Sequence, residues 1–184
     1  ILERSGLASV PAATTAVFVG TEFDSIAGRG REGEPIRMTP WGEIAFQLAG
    51  EQGFQIVKEH DAKLIAPGGD VIRALLPRDR PCLILMDELM NYASRFRKQG
   101  LSDQLYNFIQ NLSMVASGLS NVVVAISIPT SQLEMTSEDE ADFSRYKKVL
   151  DRVAKPEILS SDADISEIIR RRLFEWERLS PEGR

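Results

Sequence analysis

The chain has one cysteine, one histidine and no apolar run near the ~20 residues that cross a bilayer. Cys82 therefore has no disulfide partner within the chain, which suits a reducing compartment, so the cytoplasm is the expected location and no membrane partner is expected. His60 has no Cys or second His near it. It supports neither a metal site of that kind nor a Ser-His-Asp or Cys-His arrangement, and it reads as a surface residue. A general excess of positive charge is missing too. With 22 Lys+Arg against 27 Asp+Glu the net charge is −5, leaving room only for a local basic patch toward nucleic acid or anionic membrane. The start, Ile1-Leu2-Glu3-Arg4-Ser5, has neither the basic nor the apolar region of a signal peptide, and no Met. It reads as a piece of something longer, or a processed product.

What is present suffices for one ordinary domain with a real core: 184 residues, 43% hydrophobic and 27% charged. The most informative stretch is Leu83-Ile84-Leu85-Met86-Asp87-Glu88. Four apolar residues run into two adjacent carboxylates, and a helical pattern follows. A buried parallel strand reads as such a continuous apolar run. Acids at its carboxyl end sit where open α/β sheets bind ligands. This is the shape of a Walker B segment, in which an Asp holds Mg²⁺ and the next Glu polarises the water that attacks a γ-phosphate. The partner motif, G-x-x-x-x-G-K-[ST], is absent.

Around this stretch strands alternate with helices. Thr14 to Phe23 reads as a strand, and Asp24 to Arg37 as a mobile loop. Gly28, Gly30 and Gly33 match G-x-G-x-x-G, but they do not join a strand tightly to a helix, and Pro35 follows where a helix would begin. Thr39 and Pro40 open a helix that Gly50 or Gly53 ends, with Phe54 to Lys63 a continuation or a link. Asp70 caps a short helix ending at Leu76. Leu89 to Lys98 is helical with Leu89, Tyr92, Ala93 and Phe96 on one face, and Ser102 caps a helix carrying Leu105, Phe108, Ile109, Leu112 and Val115. Asn121 to Ile128 is a second apolar strand. Glu134 to Asp142 reads as an acidic loop, Phe143 to Ala154 as a helix, and Ser161 or Asp164 as the cap of a final helix. Trp41 and Trp176 read as packing residues. The expected fold class is α/β, a three-layer parallel sheet with helices on both faces.

The segments TAVFVGTEF, TPWGEIAFQL, PCLILMDELMNYA and NVVVAISIPTS, followed by ISEIIRRRLFE, resemble a prokaryotic family of large AAA-type P-loop ATPases. That family is catalogued as a domain of unknown function and is often encoded beside DNA methylases in defence-type loci. The resemblance covers Thr14 to about Glu175. It implies a partial ATPase domain over 1–184, with an α/β core at 14–128 and a helical part at 139–178, whose first strand and P-loop lie upstream. It assigns Asp87 to the metal and Glu88 to water activation. It makes Ser127 or Thr130 the sensor 1 residue, and offers Arg170, Arg171 and Arg172, and less so Arg145 and Arg152, as phosphate-neutralising arginines. Mg²⁺ and ATP are implied for the parent and not for the isolated chain. The partners implied are other segments of the parent, DNA reached through it, and a second copy paired through the strand edge that the missing first strand would cover.

Two other readings stand beside this one. The chain could be a non-catalytic α/β interaction module, whose Asp-Glu pair only favours the start of the following helix. It could also be a metal-dependent nuclease or phosphatase, which needs a third acid, with Asp24 the candidate.

Overall fold

The computed structural model describes residues 12–128 and 136–155. The chain enters at β1 (Thr14–Val19), crosses through α1 (Pro40–Ala62) and α2 (Gly69–Leu75), and returns as β2 (Cys82–Asp87). It leaves through α3 (Leu89–Phe96) and α4 (Leu101–Ser117), returns as β3 (Val122–Ile126), and continues into α5 (Ser137–Val153). The three strands form one parallel sheet in the order β1-β2-β3. Thr14, Cys82 and Val122 stand level at one end, and Val17, Leu85 and Ala125 level further along. The fold is α/β with a parallel sheet, as the alternation of elements implied.

The sheet is packed on one side. Ala16, Phe18, Cys82, Ile84, Met86 and Val122 are buried. Phe18 meets Phe23 at 5.3 Å and the edge of Tyr92 at 5.5 Å between ring centroids, and Tyr92 meets Phe96 at 4.9 Å. Burying each large side chain here stabilises the fold by roughly 1.5–3 kcal/mol. The alternate positions Val17, Leu85 and Val123 are 43%, 37% and 59% exposed. Period-2 alternation puts them on the opposite face. Among the described residues, then, the helices bury one face, where both had been expected to be covered.

The outer side of β1 is held by a chain of polar contacts. Thr39 caps α1, accepting from the Gly42 amide at 3.1 Å, and its own hydroxyl donates to Asp61. Asp61, at the far end of α1, also accepts from the Met38 amide at 3.0 Å. Its burial pushes its pKa up, and the hydrogen bonds from Thr39 and Met38 oppose that. One carboxylate thus clasps both ends of a helix broken at Ala49 and Gly50, where Gly50 has φ 60°. The chain continues past that glycine as helix to Ala62. Residues 24–37, read from composition as mobile, are tied down. Arg29 and Arg37 bridge their backbones, and buried Arg37 pairs with Glu43 at 3.0 Å and Glu34 at 2.8 Å. Buried cations need such partners, and nothing in the composition reports them.

Other differences are local. β1 ends at Val19, not Phe23, because Gly20 to Glu22 turn, with the Glu22 amide donating to the Val19 carbonyl. Gly68, not Asp70, precedes α2. Gly100, at φ 77°, ends the turn after α3 and stands before α4, so Ser102 caps nothing. Its hydroxyl donates instead to Asp142 at 2.8 Å. Of the acidic stretch expected as loop, Glu134 and Met135 lie outside the described residues, and Ser137 to Asp142 open α5, where Thr136 and Asp139 form a capping box. Acids in a first turn favour the helix dipole, and composition alone hides that. Arg97 holds this helix start, donating to Asp139 at 2.6 Å and to Asp142 at 3.1 Å. The Arg97 guanidinium holds the Asp139 carboxyl down to a pKa of about 2. Trp41 is fully buried against Phe108, as a packing residue should be.

Candidate functional site

The carboxyl ends of all three strands meet beyond Val19, Asp87 and Ile126. The ladder runs one residue past each outer strand. The Gly20 amide donates to the Asp87 carbonyl at 2.9 Å, and the Ser127 amide to the Met86 carbonyl at 2.9 Å. These two bonds bring Gly20 and Ser127 to either side of the Asp87–Glu88 junction. The Ser127 hydroxyl then donates to Oδ1 of Asp87. The same oxygen accepts the Glu88 amide at 2.9 Å. Among the described residues, Oδ2 of Asp87 accepts no hydrogen bond. Asp87 is exposed, at the end of a strand whose alternate residues Cys82, Ile84 and Met86 are buried.

Glu88 has a left-handed backbone, φ 56° and ψ 33°. For a residue with a Cβ this costs roughly 1–2 kcal/mol. Such strain persists where surrounding contacts enforce it, and it gathers at functional sites. One enforcing contact is Gly20. A Cβ there would lie 2.2 Å from the Glu88 carbonyl oxygen, so only glycine lets the end of β1 approach the turn. A second is Asn91, whose side-chain amide donates to Oε2 of Glu88. Below them the Tyr92 amide donates to the Glu88 carbonyl at 3.3 Å, and the Tyr92 hydroxyl shares a 2.6 Å hydrogen bond with buried Ser25. Burial pushes the Tyr92 phenol far above its ordinary pKa. Arg95, one turn on, donates to the Thr21 carbonyl at 3.1 Å. The loop after β1 is thereby bonded to the helix after β2.

This arrangement offers an exposed carboxylate with an unoccupied oxygen, a second carboxylate beside it on a strained turn, and a hydroxyl from the neighbouring strand. It gathers Asp87, Glu88 and Ser127. Thr130, Arg170, Arg171 and Arg172 lie outside the described residues. Arg145 pairs with Asp103 at 2.7 Å and stacks over Tyr106, linking α5 to α4. Asp24 turns its carboxylate back to the Ile26 amide at 2.9 Å. Among the described residues no group of three or more His, Cys, Asp or Glu side chains could hold a metal ion. The glycines of the G-x-G-x-x-G string flank the Arg29–Arg37 bridge and open no helix.

Sequence reasoning missed Gly20 and Asn91. A signal for Asn91 existed, because Glu88 and Asn91 are three apart at a helix start, where such pairs face each other. Gly20 closes the apolar run of β1, but its close approach depends on a residue 68 positions away.

A family model described as the DUF499 N-terminal domain matches residues 27–159. No curated protein and no solved structure matches the chain.

Proposed function

The chain belongs to the DUF499 N-terminal domain family, a domain of unknown function, and on that footing we propose that it supplies the Walker B half of an ATP-hydrolysing site of AAA type. The observation that carries the reading is the meeting of Asp87, Glu88 and Ser127 at the carboxyl end of a parallel sheet in the order β1-β2-β3. Ligand sites of open parallel sheets lie there.

The donor set fits Mg²⁺. A hard cation takes oxygen ligands, and Asp87 offers an exposed carboxylate with one oxygen already fixed by Ser127 and the Glu88 amide. Mg²⁺ would neutralise the charge of the transferring phosphate. Asp87 holds the metal on this reading, with Ser127 keeping its carboxylate in place. Glu88 accepts a hydrogen bond from the attacking water and orients it. On this reading the phosphate cradle would be a G-x-x-x-x-G-K-[ST] loop, which these 184 residues do not contain, so they would not be expected to hydrolyse ATP by themselves. The strand and helix around that loop would also cover what the described residues leave bare, the outer edge of β3 and the face bearing Val17, Leu85 and Val123.

A helix-capping role for the acids is less well supported. Glu88 stands at the start of α3 without a side-chain capping bond, and the first turn of that helix holds no acid.

The test is a Glu88→Gln substitution in the full-length protein, which keeps shape and removes charge. ATP should stay bound while hydrolysis falls by about 10²-fold or more. Turnover at the wild-type rate would reject the assignment.

A further inference from the structure

Glu88 has one oxygen taken and one left over. Its Oε2 accepts from the Asn91 side-chain amide, and among the described residues Oε1 makes no hydrogen bond. We infer that Asn91 is the positioning residue of this site, fixing the Glu88 carboxylate so that its second oxygen alone is presented to the attacking water. The inference rests on the ATPase reading above and goes beyond it by assigning a residue to which that reading gives no role.

Three features support it. Asn91 is exposed and outside the core, whereas its neighbours Leu89, Met90, Tyr92 and Ala93 are all buried. Packing therefore does not dictate an asparagine there. Its partner sits on a left-handed backbone held by Gly20, so backbone and side chain of Glu88 are each fixed by a separate contact. The donor is also neutral. A Lys or Arg three residues on has several donors and could occupy both carboxylate oxygens, whereas this amide takes one of them and adds no charge. Placing a base within hydrogen-bond reach of its water is where such catalysis gains most.

The test uses the full-length protein with Asn91→Ala, Asn91→Asp and Glu88→Gln compared at saturating and limiting ATP. Asn91→Ala should lower kcat about tenfold with KM for ATP unchanged, because positioning the carboxylate affects the chemical step and not nucleotide binding. Asn91→Asp keeps the shape but removes the amide donor, and should lower kcat at least as much with KM again unchanged. A merely structural asparagine would not give that split between kcat and KM. If Glu88→Gln is inactive while both Asn91 variants keep the wild-type kcat, this inference is overturned and the ATPase reading survives. If Glu88→Gln is fully active, the ATPase reading fails first and takes the role of Asn91 with it.

Discussion

The two outer strands of the sheet present the same backbone to the outside, yet they are finished differently. On β1 the side chain of Gln47 stands in for a neighbouring strand. Its Oε1 accepts the Val17 amide at 2.7 Å, and its Nε2 donates to the Val17 carbonyl at 2.9 Å. Gln47 also donates to Glu43 at 2.7 Å, and Glu43 is held by Arg37, so the plug is anchored through α1 to the loop before it. On β3 no described residue does this. Val123 is 59% exposed and Ala125 is exposed beside it. Proteins close or disfigure the edges they do not intend to pair. Among the described residues one edge of the sheet is closed by Gln47, and the other, on the strand that delivers Ser127 to Asp87, is bare.

The contrast can be broken most forcefully at the clasp behind the closed edge. Asp61→Ala would leave the Met38 amide and the Thr39 hydroxyl without an acceptor where Thr39 and Asp61 are buried. It should cost about 2–4 kcal/mol in urea unfolding. Hydrogen exchange at Val17 should speed up before exchange in β2. Equal loss of protection in both strands would mean that the clasp stabilises the whole unit rather than the β1 side.

A smaller effect is expected from Gln47→Ala, which bares a half-exposed edge without opening the core. The cost should be about 1 kcal/mol, and self-association seen by light scattering should rise because both edges are then open. Unchanged association would show that Gln47 does not guard the edge.

The smallest effect on stability should come from Val123→Lys on the bare side. It should stay within about 0.5 kcal/mol of wild type while reducing the self-association expected of the isolated chain. A loss of 2 kcal/mol, or an isolated wild-type chain that is a monodisperse monomer, would show that this side is covered after all.

How much of this was legible beforehand follows from the range over which each feature acts. The Cys82–Asp87 strand and the buried face of α3 could be read residue by residue, because continuous apolar runs and 3.6-residue spacing are local signals. The Thr39–Pro40 helix start could be read for the same reason. The acid pair was visible as chemistry, and Ser127 only as one of two hydroxyls near a strand end. The burial of Arg37, the diversion of Ser102 to Asp142 and the helical state of Glu138 to Asp142 were not visible. Each depends on partners that the fold brings near, which a propensity cannot encode.

By itself, then, the sequence determined the alternation of strands and helices, the apolar positions that make the core, and the placing of two carboxylates at the end of the middle strand. Tertiary structure alone decided that Ser127 reaches Asp87, that Gly20 makes close contact with a left-handed Glu88, and that Gln47 closes one edge while, among the described residues, the other stays bare. The first set rests on side-chain size and polarity repeating along a few neighbouring residues. The second rests on contacts between residues 30 to 68 positions apart, whose geometry exists only once parallel pairing has fixed the register of three strands.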